Sequence, residues 1–121
     1  MADGVRNLDQ ALATISEHWQ PHRLTSINDY DVKVVKVQGE FVWHTHPDTD
    51  ELFLVLDGEL TIDTEDGAIV LRPHEMVTIP RGMRHRPRAS LETAALLIEL
   101  AGVVNTGDAE PGELTATPER L

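Results

Sequence analysis

The sequence predicts an all-β domain, a sandwich or closed barrel of short strands, with one short helix ahead of it. Three observations carry this reading. Between Asp31 and Leu100, runs rich in Val, Ile, Leu and Thr recur at intervals of about 8–12 residues, the spacing of antiparallel sandwiches and barrels. Turn residues separate the runs: Gly39, Asp57-Gly58, Asp66-Gly67, Pro73 and Arg81-Gly82. Two of these are Asp-Gly pairs between apolar runs, the strongest short-range hairpin signal.

Taken in order, residues 7–19 read as a helix. Asn7 serves as its cap, Gln10 is placed to reach back in a capping box, and Leu8, Leu12, Ile15 and Trp19 form one apolar stripe. Pro21 ends it. This helix is expected to pack outside the main body, or across a dimer partner. Strands are predicted at 32–38, 41–46, 51–57, 59–65, 68–71, 75–80, 84–89 and 94–100. The tail, 102–121, is rich in Gly, Pro, Thr and Glu and reads as extended or partly disordered.

The 121 residues suit one domain. A net charge of −11 argues against a nucleic-acid binder, which needs a basic face, and against docking to anionic membrane. The opening Met1-Ala2-Asp3-Gly4-Val5-Arg6 has no apolar run of the kind a secretory leader needs. No segment approaches the roughly 20 apolar residues of a membrane span. A soluble cytoplasmic protein is the expectation. There is no cysteine, so any metal site must use nitrogen and oxygen ligands.

Such a site is legible. On a strand, His44 and His46 point to one face while Thr45 points away. Pro47-Asp48-Thr49-Asp50 makes a turn, and Glu51, opening the next strand, can fold back onto that face. His85 follows His46 by 39 residues, directly after Pro80-Arg81-Gly82-Met83-Arg84, a tight turn able to swing in a third imidazole. Three imidazoles and a carboxylate suit one divalent transition metal (Fe, Mn, Ni, Cu or Zn) better than Mg or Ca, and do not choose among the five. On an octahedral ion they leave two positions open, as a catalytic metal requires.

At these residues the chain resembles the cupin superfamily. The first cupin motif, Gly, five residues, His-x-His, three or four residues, Glu, six residues, Gly, is met by Gly39, His44-Thr45-His46, Glu51 and Gly58. The centre of the second motif, Pro-x-Gly, two residues, His, is met by Pro80-Arg81-Gly82-Met83-Arg84-His85. Three departures stand beside these matches. Gly39 is one residue nearer His44 than the motif has it, His74 stands where the second motif opens on Gly, and Ala89 replaces its closing Asn. None is a ligand position, but a non-glycine residue at a positive φ costs about 1 kcal/mol.

The resemblance, to the small bacterial single-domain cupins, implies a double-stranded β-helix, or jelly roll. The cupin barrel would span 31–101, between a helical segment over 1–30 and the tail over 102–121. It also implies a homodimer. Strand alternation places Val42, Phe53, Val55 and Met83 around the metal as pocket lining, with Trp43, Arg84, Arg86 and Arg88 outside. Lys36 or Arg72 is a candidate interior cation, and Glu99 a candidate inward base. His18, His22 and His74 are expected at the surface, Trp19 and Trp43 in the core or a dimer contact. The arginines at 81, 84, 86 and 88 are expected to pair with carboxylates.

Function is then expected to be metal-dependent chemistry on a small organic molecule. The superfamily includes dioxygenases, isomerases, decarboxylases, lyases and cyclases. A dioxygenase-type oxidoreductase is the preferred reading, because neutral imidazoles with one carboxylate hold iron(II) and leave adjacent positions free. The alternatives are a Lewis-acid isomerase, lyase or cyclase, and a non-catalytic metal-dependent binding module, which the lack of an obvious interior acid or base favours. No catalytic residue is assigned.

Overall fold

A computed structural model describes residues 4–112, 114, 115, 119 and 120. Helix α1 spans only Leu8–Ala13. Asn7 caps it as expected, its side chain accepting from the Gln10 N–H at 2.9 Å. Thr14 ends it early, its hydroxyl and its backbone N–H both turned onto the Ala11 carbonyl. Trp19 is therefore not on the helical stripe. It takes φ +63°, donates its backbone N–H to Lys36 O and its indole N–H to Gln38 O, and stacks on Phe41 at 4.6 Å. The barrel's pull on this one side chain overrides the helical periodicity. Leu8 and Leu12 still pack inward, against Ile15, Leu24 and Val34.

The strands among the described residues are β1 (His22–Ile27), β2 (Tyr30–Glu40), β3 (Glu51–Asp57), β4 (Leu60–Thr64), β5 (Gly67–Leu71), β6 (Met76–Ile79), β7 (His85–Leu100) and β8 (Glu119–Arg120). They form a mainly antiparallel β-barrel in the order β5-β4-β7-β2-β1-β8, with β3 bridging β7 and β6. Strand β1 lies inside the segment predicted as helical. It turns through Asn28, at φ +54°, to pair with β2.

The predicted strands 84–89 and 94–100 are one, β7. Its first half pairs with β4 (Thr64↔His85 to Thr61↔Arg88) and its second half with β3 (Asp57↔Ala94 to Leu52↔Ile98). One long strand thus spans two walls of the barrel. By contrast, the predicted strand 41–46 is no strand. It is a chain segment that follows the start of β7 through a single bridge, His44↔His85.

The main core gathers Val35, Val37, Phe53, Val55, Leu60 and Ile62 inside the barrel. The Asp57-Gly58 turn seals it. Gly58 has φ +90° and a Cβ there would stand 2.9 Å from Thr93 Cα, so only glycine fits. His74, in place of the motif's glycine, does adopt the left-handed conformation, at φ +72°. Where it is described, the tail is part turn and part extended, Glu119–Arg120 pairing with β1 as β8. Residues 101–109 form turns against the barrel, with Asn105 donating to Trp19 O and Leu114 O. The rest of the tail expectation falls on 113, 116–118 and 121, outside the described residues.

Candidate metal centre

His44 and His85 are tied by their backbones, each N–H donating to the other's carbonyl at 3.0 and 2.9 Å. Their rings are set alike. His44 Nδ1 lies 2.9 Å from Val42 O and His85 Nδ1 lies 2.9 Å from Met83 O. A carbonyl only accepts, so Nδ1 carries the hydrogen in both and the Nε2 lone pair faces the interior. Glu51 opens β3 with its Oε1 3.4 Å from His85 Nε2 and 3.7 Å from His46 Nε2.

These four residues are all buried, and one donor atom from each lies within 4.8 Å of the others. His46 Nε2, His85 Nε2 and Glu51 Oε1 have no hydrogen-bond partner. Buried polar atoms left unsatisfied are costly, at about 1–3 kcal/mol each. Atoms orphaned together around one point are what a cation would satisfy. Ligand bonds of about 2.0–2.2 Å place opposite donors roughly 4.4 Å apart, so the cluster fits a divalent transition metal after a few tenths of an ångström of closure.

Electrostatics agree. Burial, then the neighbouring His85, lowers His44 to about 4. Burial also lowers His46, against the opposing pull of Glu51. Both are neutral near pH 7, the form that binds metal. Burial would raise Glu51, but its close approach to His85 and the neighbouring imidazoles outweigh it and bring it to about 2, ionised.

Behind Glu51 stands a feature that the sequence reading half found. Glu99 does point inward, and it is 1% exposed. The interior cation, however, is Lys33, which donates to Glu99 Oε1 at 2.6 Å and is itself fully buried. Lys36 instead reaches out to Ile15 O at 3.0 Å, and Arg72 is exposed beside Glu59. The signal for Lys33 was present: Asp31, Lys33, Val35 and Val37 alternate along one face of β2 and all four are buried. Burial, then Glu51, pushes Glu99 up to about 9, so it holds a proton at neutral pH.

A cavity of about 40 Å³ opens on the site. Trp19, Val35, Phe41, Phe53, Pro87 and Leu97 give it apolar walls, and His44, Glu51 and Glu99 reach into it. Of the four residues expected to line the pocket, Phe53 does so. Val55 is fully buried in the core, while Val42 and Met83 are partly buried against it; none of the three is on the cavity wall. Phe41 and Trp19 take their places, because residues 41–46 follow an irregular path and not the strict alternation of a strand.

His18 pairs with Glu92 at 2.7 Å and His74 is exposed, but His22, expected at the surface, is buried on β1. Arg86 and Arg88 pair with Asp63, Arg81 pairs with Asp50, and Arg84 and Arg86 flank the Trp43 ring at 4.8 and 5.3 Å. Among the described residues no helix is long and apolar enough to cross a membrane.

Fold and site together define a small β-barrel with an interior three-histidine, one-carboxylate cluster suited to a divalent metal. The cupin domain family model (Cupin_2) matches residues 31–100, and the chain belongs to the cupin family. It is 38% identical over 96 residues to the uncharacterized protein YdbB of Bacillus subtilis, covering 78% of this chain and 85% of that one. A cupin-2 domain protein of Shewanella frigidimarina shares 44% identity at a TM-score of 0.78, over 79% of this chain and 94% of its own. A hydroquinone 1,2-dioxygenase, PnpCD, solved with Cd2+ and 4-hydroxybenzonitrile, shares the fold at 20% identity and a TM-score of 0.68, over 76% of this chain and 70% of that one.

Proposed function

We propose that this cupin is a metal-dependent enzyme acting on a small organic molecule, of dioxygenase type, with His44, His46, Glu51 and His85 as the metal ligands. One observation carries the reading: the buried, partnerless Nε2 and Oε1 atoms face one another beside an apolar cavity. A bound divalent transition metal would supply Lewis acidity or dioxygen activation at that point. The chain's own residues do the rest. Val42 O and Met83 O fix two imidazoles in the ligating tautomer. The aromatic and aliphatic walls exclude water, and with no Lys or Arg among them they select against phosphorylated or strongly anionic substrates.

Fold likeness to a hydroquinone dioxygenase supports this choice among cupin chemistries at the level of the fold. A second reading, a Lewis-acid isomerase or lyase, draws on Glu99, a proton-bearing carboxyl in the cavity wall. A third, a binding module without turnover, is distinguished by ligand-induced stabilisation with no product. The same proposal takes the protein as a cytoplasmic homodimer, in keeping with exposed apolar side chains such as Ile27 and Met76.

The test is elemental analysis of protein purified without added metal. About one transition-metal ion per chain is expected, and its loss in His46→Ala. Metal-free protein that takes up none on titration overturns the reading, and metal-loaded protein that consumes no dioxygen with any phenolic or other small substrate overturns its dioxygenase part.

A further inference from the structure

Resting on the metal-dependent reading above for what the donor cluster holds, we propose that Trp19 is the residue that sets substrate size. It limits the cavity to flat, uncharged molecules of a single ring. Its backbone and side chain are pinned by three hydrogen bonds. Trp19 donates its backbone N–H to Lys36 O at 2.8 Å and its indole N–H to Gln38 O at 3.0 Å, and its carbonyl accepts from Asn105 Nδ2 at 3.0 Å. The backbone there holds φ +63°, a left-handed conformation that is an outlier for a bulky side chain. Strain of this kind persists only where the surroundings over-determine it, and it gathers at ligand-binding positions.

The ring is placed as firmly as the backbone. It stacks on Phe41 with centroids 4.6 Å apart and planes 23° apart, and Phe41 meets the His44 ring edge-on at 5.4 Å. The indole is thus two contacts from the donor cluster, and it forms part of the cavity wall. A molecule seated at His44 and Glu51 meets the indole once it reaches past Phe41. A loosely held side chain would swing aside, but Trp19 would first have to break its bond to Gln38 and its stack on Phe41. Such a wall excludes by size, because a packed interior does not deform freely.

The cavity measures about 40 Å³. At roughly 10–15 Å³ of such space per water, it has room for about three waters, the bulk of one small ring and less than that of two fused rings. Phe53, Pro87 and Leu97 complete an apolar lining that contains no Lys or Arg, which suits an uncharged ring. Trp19 and Asn105 both lie outside residues 31–100, the segment that matches the family model. The matched barrel supplies the metal donors, and the segments flanking it supply the wall that selects among ligands.

The test is an NMR titration of the full metal-free chain with two probes, phenol and 2-naphthol. Naphthol carries more apolar surface, so a yielding site binds it more tightly than phenol. Wild-type protein is expected to do the reverse, binding phenol about tenfold more tightly, with the cavity-wall amides of Phe41 and Leu97 responding. In Trp19→Leu the preference is expected to invert. If Trp19→Leu fails to fold, Trp19→Phe keeps the stack on Phe41 and frees the space of the indole's second ring. It is expected to cut the advantage of phenol to about threefold or less.

Wild-type protein that favours 2-naphthol, or whose cavity-wall amides respond to neither probe, overturns the proposal. So does a preference that is unchanged in the Trp19 variants. Zinc titration of the same protein reads the metal centre separately. Zinc uptake without a preference for phenol overturns the size role alone. A preference for phenol in protein that takes up no zinc upholds the size role and overturns the metal reading.

Discussion

Thr45 and Asp108 are hydrogen-bonded to each other twice: Thr45 N–H donates to Asp108 Oδ1 at 2.6 Å, and Asp108 N–H donates to Thr45 O at 3.0 Å. Thr45 is the residue between two of the ligand histidines. The C-terminal turn therefore braces the backbone that aims His44 and His46, although it lies outside the residues that match the family. Next to Asp108, Gly107 adopts φ +54°, and a Cβ there would come 3.1 Å from His44 Cδ2 and within overlap of the Thr45 carbonyl.

Gly107→Ala should therefore cost more than an ordinary surface change. The positive φ contributes about 1 kcal/mol and the overlap with Thr45 a further 1–3 kcal/mol, roughly. Urea unfolding measures the loss, and metal titration should show weaker binding as His44 is displaced. Asp108→Ala should cost about 1 kcal/mol, with Asp108→Asn close to wild type. If Gly107→Ala keeps both stability and metal affinity, the turn does not brace the site.

Trp19 closes the cavity by stacking on Phe41 and donating to Gln38 O. Trp19→Ala is expected to lose about 3–5 kcal/mol, the range for a large aromatic removed from a core. Trp19→Phe keeps the stack and should lose only about 1–2 kcal/mol, mainly the indole hydrogen bond. Equal losses in the two variants, measured by chemical denaturation, would show that the aromatic stack contributes little.

The buried proton on Glu99 gives a pH dependence of definite sign in the metal-free protein. Burial and Glu51 raise this carboxyl from an ordinary 4.5 to about 9. Between these values the folded chain keeps a proton that the unfolded chain has released, so stability falls as pH rises. From pH 7 to 9 the fall should approach 1.4 kcal/mol per pH unit. Over that window His44, lowered to about 4, is neutral both folded and unfolded and adds no comparable slope. Glu99→Gln should flatten the profile, and a wild-type profile already flat in urea titrations at pH 7, 8 and 9 contradicts the assignment.

The four clustered side chains were legible because each signal is local. His44 and His46 are two residues apart, Glu51 follows a single turn, and His85 ends a Pro-x-Gly turn. The strands β3 to β6 were legible for the same reason: period-two runs bounded by Asp-Gly and Pro leave little freedom. The helix was overextended because Ile15 and Trp19 continue its spacing while serving different clusters of the fold. β1 was missed because its six residues, His22 to Ile27, alternate weakly and four of them are polar.

What the sequence determined by itself is the all-β class and the donor set, since strand period and turn chemistry act over a few residues. Which charges lie beside those donors was decided only in three dimensions. Lys33, Glu99 and Glu51 sit on three different strands, and their meeting depends on the registers β2↔β7 and β3↔β7. So does the cavity, whose walls join Trp19 near one end of the chain to Asn105 near the other. Register is set by the packing of the whole sheet, and no short window of residues contains it.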